Sequence, residues 1–81
     1  MANQANVIGQ TYVGLMYYEG EGVRQDYAKA VEWYEKAANQ GDAYSQSNLG
    51  FMYQMGRGVR KDYIQARQWY EKAANKDYSI A

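Results

Sequence analysis

The sequence predicts an all-α chain. It reads as an α-solenoid of two stacked antiparallel helix hairpins, four helices in all, with a short tail resembling the truncated start of a third repeat. Three observations carry this. The 81 residues match themselves at a shift of 36, and a fixed period in the thirties marks stacked supersecondary units. Each period holds two stretches with small and aromatic residues at helical spacing, separated by a Gly-x-Gly loop. The composition then fixes the kind of core. There are only two Leu, three Ile, five Val and one Phe, but ten Tyr, so any core must be built from Tyr, Trp, Ala and Met.

The internal match is specific. Gly14, Met16 and Tyr17 fall on Gly50, Met52 and Tyr53, and Gly20, Gly22, Val23, Arg24, Asp26 and Tyr27 fall on Gly56, Gly58, Val59, Arg60, Asp62 and Tyr63. The run Trp33 to Asn39 recurs unchanged as Trp69 to Asn75, and about half of all aligned pairs are identical. Residues 5–40 and 41–76 are therefore the two repeats, with 77–81 as the start of the truncated third.

The elements follow in chain order. A first helix is expected over about 6–19, and its counterpart over 43–55 behind Asp42, whose carboxylate suits an N-cap. Gly20 and Gly56 stand just past these helices, where positive φ is common. Asp26 and Asp62 are placed to cap the second helices, expected over about 27–39 and 63–75, and Asp62 with Gln65 fits the capping-box spacing. Ala30, Tyr34 and Ala37, like Ala66, Tyr70 and Ala73, share one helical face. Gly14, Gly50, Ala30 and Ala66 allow helices to approach closely, with Tyr17, Tyr34, Tyr53 and Tyr70 filling the space alongside. Trp33 and Trp69 are expected to bury large areas between hairpins; for a buried Trp, truncation to Ala costs about 3–5 kcal/mol.

Composition also excludes functions. The chain has no His and no Cys, which removes imidazole bases, thiol nucleophiles, disulfides and the usual Cys/His zinc sites. Net charge is zero and mean hydropathy −0.78. No apolar run approaches the roughly 18–20 residues needed to span a bilayer, and the N-terminus lacks the pattern of a signal peptide, so the expectation is no membrane partner. Glu35 and Glu71 recur with the repeat itself, so no pair of carboxylates is set apart for acid–base catalysis. The expectation is a non-enzyme without catalytic, cofactor-binding or metal-binding residues and without a cofactor. Compartment is left open.

The pattern Gly-x-Met-Tyr, Gly-x-Gly-Val, Asp-Tyr, Ala-x-x-Trp-Tyr-x-Lys-Ala-Ala, present in both units, resembles the Sel1-like repeats, relatives of tetratricopeptide repeats. Val13 and Gly9 are departures in the first unit, where the second has Leu49 and Ser45. The resemblance implies antiparallel helix pairs in a right-handed superhelix, with the first helices lining its concave side and a role in protein–protein binding and assembly.

On that side the sequence places a stripe of candidate partner-binding residues. Ile8, Thr11, Leu15 and Tyr18 belong to the first unit, and Tyr44, Ser47, Phe51 and Met55 to the second, opposite the core positions Val13, Met16 and Tyr17. Exposed, the apolar members form a patch of the kind that marks a binding surface; the competing reading puts Leu15 and Phe51 in the core. Two units without caps read either as a fragment of a longer scaffold or as a self-associating chain. Charge is also divided, with residues 5–40 carrying a net −2 and residues 41–76 a net +3, which favours head-to-tail contact.

The expected partner is protein: a second copy, as a homodimer through the apolar stripe, or a peptide segment of another protein held in the same groove. Nucleic acid is disfavoured, because Arg57, Arg60 and Lys61 form one short cluster on a neutral chain.

Overall fold

The computed structural model describes the backbone of residues 4–80 and the side chains of residues 6–75. Four helices follow one another, α1 Gln4–Glu19, α2 Tyr27–Ala38, α3 Ala43–Met55 and α4 Tyr63–Ile80, with no strand among the described residues. α1 packs on α2, α2 on α3 and α3 on α4. The molecule measures 38 × 31 × 18 Å, and its short dimension holds two helices of about 10 Å diameter, so the hairpins lie side by side in a two-layer slab. The all-α solenoid expected from the repeat is what forms. α4 continues beyond its expected end to Ile80, through the backbone of residues 77–80 where a third unit was expected to start; the side chains from residue 76 onward and the whole of residue 81 lie outside the described residues.

Helix boundaries are set by the residues that the repeat duplicates. Asp26 accepts from the Lys29 N–H at 3.2 Å, and Asp42 accepts from the Ser45 N–H at 2.9 Å. Asp62 accepts from the N–H groups of Ile64 and Gln65 at 3.0 and 3.1 Å. Each of these bonds occupies a donor that the first helical turn leaves unpaired. The N–H of Asp62 itself donates to the Tyr53 carbonyl at 2.9 Å, so the donor that a reciprocal capping box would use is already taken. Asp26 makes the same bond to Tyr17 at 2.9 Å. In both hairpins, then, the N-cap of the second helix is tied to the C-terminal turn of the first.

The core lies along the seam between α2 and its neighbours. Ala30, Val31, Tyr34, Ala38, Leu49 and Met52 are buried together. Tyr34 is fully buried because α1 offers Gly14 against it: a Cβ there would stand 2.9 Å from two Tyr34 ring carbons. Gly50 receives Tyr70 in the same way. Val13, Met16 and Tyr17 are only half-buried, whereas Leu49 and Met52, the counterparts of Val13 and Met16, are fully covered. The two tryptophans correct the expectation of deep burial. Both are half-buried, and each has a lysine one turn on lying over its ring, Lys36 on Trp33 at 4.3 Å and Lys72 on Trp69 at 4.4 Å. The fully buried aromatic ring is Tyr34.

Burial has a titration consequence. Desolvation, followed by the neighbouring Tyr44, pushes the Tyr34 hydroxyl well above its ordinary 10.0, and burial raises Tyr53 and Tyr70 in the same direction. A phenol whose pKa is higher folded than unfolded binds more protons in the folded state as the unfolded chain begins to ionise. Its contribution is therefore complete below the unfolded value and lost above it. Stability is expected to be flat with respect to these groups near neutrality and to fall from about pH 10 upward. Urea unfolding followed by circular dichroism across that range checks this, and Tyr34→Phe should make the decline shallower.

Candidate protein-binding groove

α1 and α3 run along one side of the slab, and the groove between them has two hollows. The first, about 230 Å³, is lined by Leu15, Tyr18 and Glu19 from α1, by Tyr44, Asn48 and Phe51 from α3, and by Tyr34 of α2 as its floor. The second, about 300 Å³, is lined by Ile8, Thr11, Tyr12 and Leu15 with Asp42 and Tyr44. They share Leu15 and Tyr44, so the groove is one track with two depressions. Its walls carry Ile8, Tyr12, Tyr44 and Phe51, exposed by 59%, 57%, 51% and 38%. No lysine or arginine lines either hollow, and a carboxylate stands in each, Glu19 in the first and Asp42 in the second.

The stripe expected from the sequence divides in three. Ile8, Leu15, Tyr44 and Phe51 line the groove as open apolar surface, Leu15 being half-buried. Ser47, half-buried, and Met55, 48% exposed, lie outside both hollows. Thr11 and Tyr18 line the hollows but also join the repeats. The Thr11 hydroxyl donates to Asp42 Oδ2 at 3.0 Å and lies 3.0 Å from Ser45 Oγ, holding α1 to the start of α3. The Tyr18 hydroxyl accepts from Arg57 Nη1 at 2.6 Å.

Arg57 is the connecting residue that the sequence reading missed. Its guanidinium lies 5.5 Å from the Tyr27 ring centre and 5.3 Å from that of Phe51, and Tyr18 packs on Tyr27 with centroids 5.1 Å apart. The α3–α4 loop is thereby fastened to the first hairpin. The signal was present as two exchanges: Glu21 stands in the first unit where Arg57 stands in the second, and Tyr18 stands where the second unit has Gln54. Tyr12 was also missed as a wall residue, although Ile8, Tyr12 and Leu15 are spaced to share one helical face.

The exchange of Gln54 for Tyr18 has a second effect. In the second unit the Tyr70 hydroxyl donates to Gln54 Oε1 at 3.0 Å. In the first, the buried Tyr34 hydroxyl has no hydrogen-bond partner among the described residues, and Asn48 stands across from it without closing one. The floor of the first hollow therefore carries a phenol and an amide able to pair with a polar group of a bound segment. Among the described residues no cluster of three or more acidic side chains is placed to hold a metal ion, and no helix is long and apolar enough to cross a membrane.

The model of the Sel1 repeat matches residues 7–42 and 43–78. The fold is also that of solved structures. A Sel1 repeat protein from Oxalobacter formigenes superposes with a TM-score of 0.88 at 42% identity over 91% of this chain and 30% of its own. The protective antigen c5321 of uropathogenic Escherichia coli strains, which displays an SLR fold, gives 0.87 at 45% identity over 90% of this chain and 16% of its own. Helicobacter pylori cysteine rich protein B gives 0.83 at 33% identity over 86% and 53%. The chain thus spans between a sixth and about half of the length of these structures. No curated protein sequence matches it.

Proposed function

The chain belongs to the Sel1 repeat family, and we propose that its α1–α3 groove holds a segment of another protein, an apolar or aromatic anchor flanked by basic residues. Sel1 repeat proteins generally mediate protein–protein interaction and are typically non-enzymatic scaffolds. The observation supporting the finer reading is the pair of hollows meeting at Leu15 and Tyr44. Two depressions in register along one track suit side chains of an extended or helical segment. Glu19 and Asp42 supply the charge that selects a basic flank.

Selection of a displayed random-peptide library on the immobilised chain, followed by calorimetric titration of the enriched peptides, tests this. Enrichment of aromatic-plus-basic sequences with one-to-one binding is the expected outcome. Tyr44→Asp should weaken binding by about 2 kcal/mol or more if Tyr44 acts as a central anchor, with little change in the melting temperature because Tyr44 is half exposed. Binding that is indifferent to Tyr44 would rule the groove out.

A second reading is a two-fold dimer through the same stripe, favoured by the exposure of Phe51 at the wall of the first hollow and of Met55 beyond it. Sedimentation separates the two: such a dimer shows a mass that plateaus at two chains and reverts to one in Phe51→Glu.

A further inference from the structure

Within the chain, α3 and the loop after it cover the outer face of the first hairpin. The corresponding outer face of the second hairpin is open: Tyr63 and Tyr70 are 64% and 37% exposed around a hollow of about 440 Å³ that reaches Ala66 and Ala74. We propose that this face binds α1 and the following loop of a second copy of the chain, so that copies stack head to tail through a seam equivalent to the one between α2 and α3. The proposal rests on surfaces outside the groove and is independent of what the groove binds.

Several elements of the internal seam have counterparts exposed at the two ends. Gln46 Nε2 donates to the Ala38 carbonyl at 3.1 Å across the internal seam. Its counterpart Gln10 accepts from Gln40 Nε2 through its amide oxygen at 2.7 Å. The Gln10 amide nitrogen is a donor toward the next copy, but Ala74, unlike Ala38 at the end of α2, lies inside α4, so its carbonyl already belongs to the helix ladder. A Cβ on Gly58 would lie 2.5 Å from the Tyr27 carbonyl oxygen, so that loop rests directly on the backbone of α2; a Cβ on Gly22 would meet only the Met16 methyl at 3.7 Å. Gly22 thus keeps the bare surface that would rest on Tyr63. Val13 and Met16, half-buried here, occupy the places of the fully covered Leu49 and Met52.

The polar contacts are inverted on both sides together, and this selects a second copy as the occupant. Inside the chain a cation, Arg57, rests on Tyr27 and donates to the Tyr18 oxygen. At the open ends the incoming residue is the anion Glu21. The receiving face offers Gln54, whose oxygen is taken by Tyr70 and whose amide nitrogen is a donor, together with Lys61, whose ammonium lies 5.3 Å from the Tyr63 ring centre. An acceptor thus replaces a donor on one surface, and donors replace an acceptor on the other. The division of net charge between the repeats acts in the same direction. Arg67 stands where the internal seam has the buried Val31, but it is already paired with Glu71 at 3.4 Å, so it adds no uncompensated charge, and its stem can lie along the seam.

A head-to-tail contact of this kind does not close on itself, so the assembly grows with concentration. Sedimentation velocity from low micromolar to near-millimolar chain is expected to show a weight-average mass that rises without a plateau. Glu21→Lys and Lys61→Glu, both exposed and away from the core, should each lower the association constant about tenfold by turning attraction into repulsion. The double variant E21K/K61E should recover it, with circular dichroism unchanged throughout. A wild-type chain that stays monomeric overturns the proposal. So does a mass that stops at two chains, which belongs to the groove dimer, or a double variant as weak as the singles.

Discussion

Tyr34→Ala is expected to remove most of the stability of the domain, while Tyr70→Ala leaves it folded. The two residues hold the same place in their repeats and press on equivalent glycines of α1 and α3. They differ in cover: Tyr34 is fully buried and Tyr70 is 37% exposed. Truncating a fully buried aromatic ring costs about 3–5 kcal/mol through lost burial and the cavity left behind. That approaches the whole stability of many small domains, about 5 kcal/mol at the low end of the usual range. Tyr70 has less area to lose and leaves no enclosed cavity, so its truncation should cost about 1–2 kcal/mol. Thermal unfolding at low micromolar concentration, where stacking is absent, compares the pair, with each kcal/mol lowering Tm by about 4–8 °C in a chain of this size. Equal losses at the two sites would mean that α3 contributes little by covering the first hairpin.

Gly58→Ala against Gly22→Ala is the second large contrast. Both glycines adopt φ of +74°, so alanine brings the same left-handed backbone penalty of about 1–2 kcal/mol at each. At Gly22 little more is added, since the new methyl meets only a flexible Met16 side chain. At Gly58 the methyl is driven into the backbone of Tyr27 and Ala28, and the loop must lift from the first hairpin. Lifting it also draws Arg57 away from Tyr18, Tyr27 and Phe51. The expected loss is about 3 kcal/mol or more at Gly58, and urea midpoints at constant m-value measure it. A Gly58 variant no worse than its Gly22 counterpart would show that the loop is not fastened to the first hairpin.

The fold was readable because the repeat states it twice. The caps at Asp26, Asp42 and Asp62, the glycine notches at positions 14 and 50 and the small-residue face of α2 all act locally, within a turn or between helices already named by their spacing. What sequence reasoning could not supply was the difference between the two copies. The stretch Trp33-Tyr34-Glu35-Lys36 is identical to Trp69-Tyr70-Glu71-Lys72, so nothing in it tells that Tyr34 is sealed and Tyr70 open; that depends on which neighbour lies over each. The tryptophans misled for a related reason. Their size suggested deep burial, but each ring is only half-buried, and a lysine one turn on lies over it. In the stripe, periodicity placed Ile8, Leu15, Tyr44 and Phe51 together. It could not show that the Thr11 and Tyr18 hydroxyls are bonded across the repeats, because those bonds span 31 and 39 residues. The charge reversal between Glu21 and Arg57 was the visible clue to such a long-range contact.

The bonds from the Asp26 and Asp62 amides to the Tyr17 and Tyr53 carbonyls also bear on how the chain folds. Each closes a loop of ten residues within its own hairpin, a span crossed in about 10–100 ns. Each hairpin can therefore form through local contacts, and docking the two across the α2–α3 seam is the expected slower step. Low contact order of this kind places folding in the microsecond-to-millisecond range typical of helical domains. It also gives each hairpin its own reporter, since solvent exchange of its hydrogen-bonded Asp26 or Asp62 amide proton registers the opening of that loop. Coupling between the two hairpins runs through the α2–α3 seam together with the Thr11–Asp42 and Tyr18–Arg57 bonds.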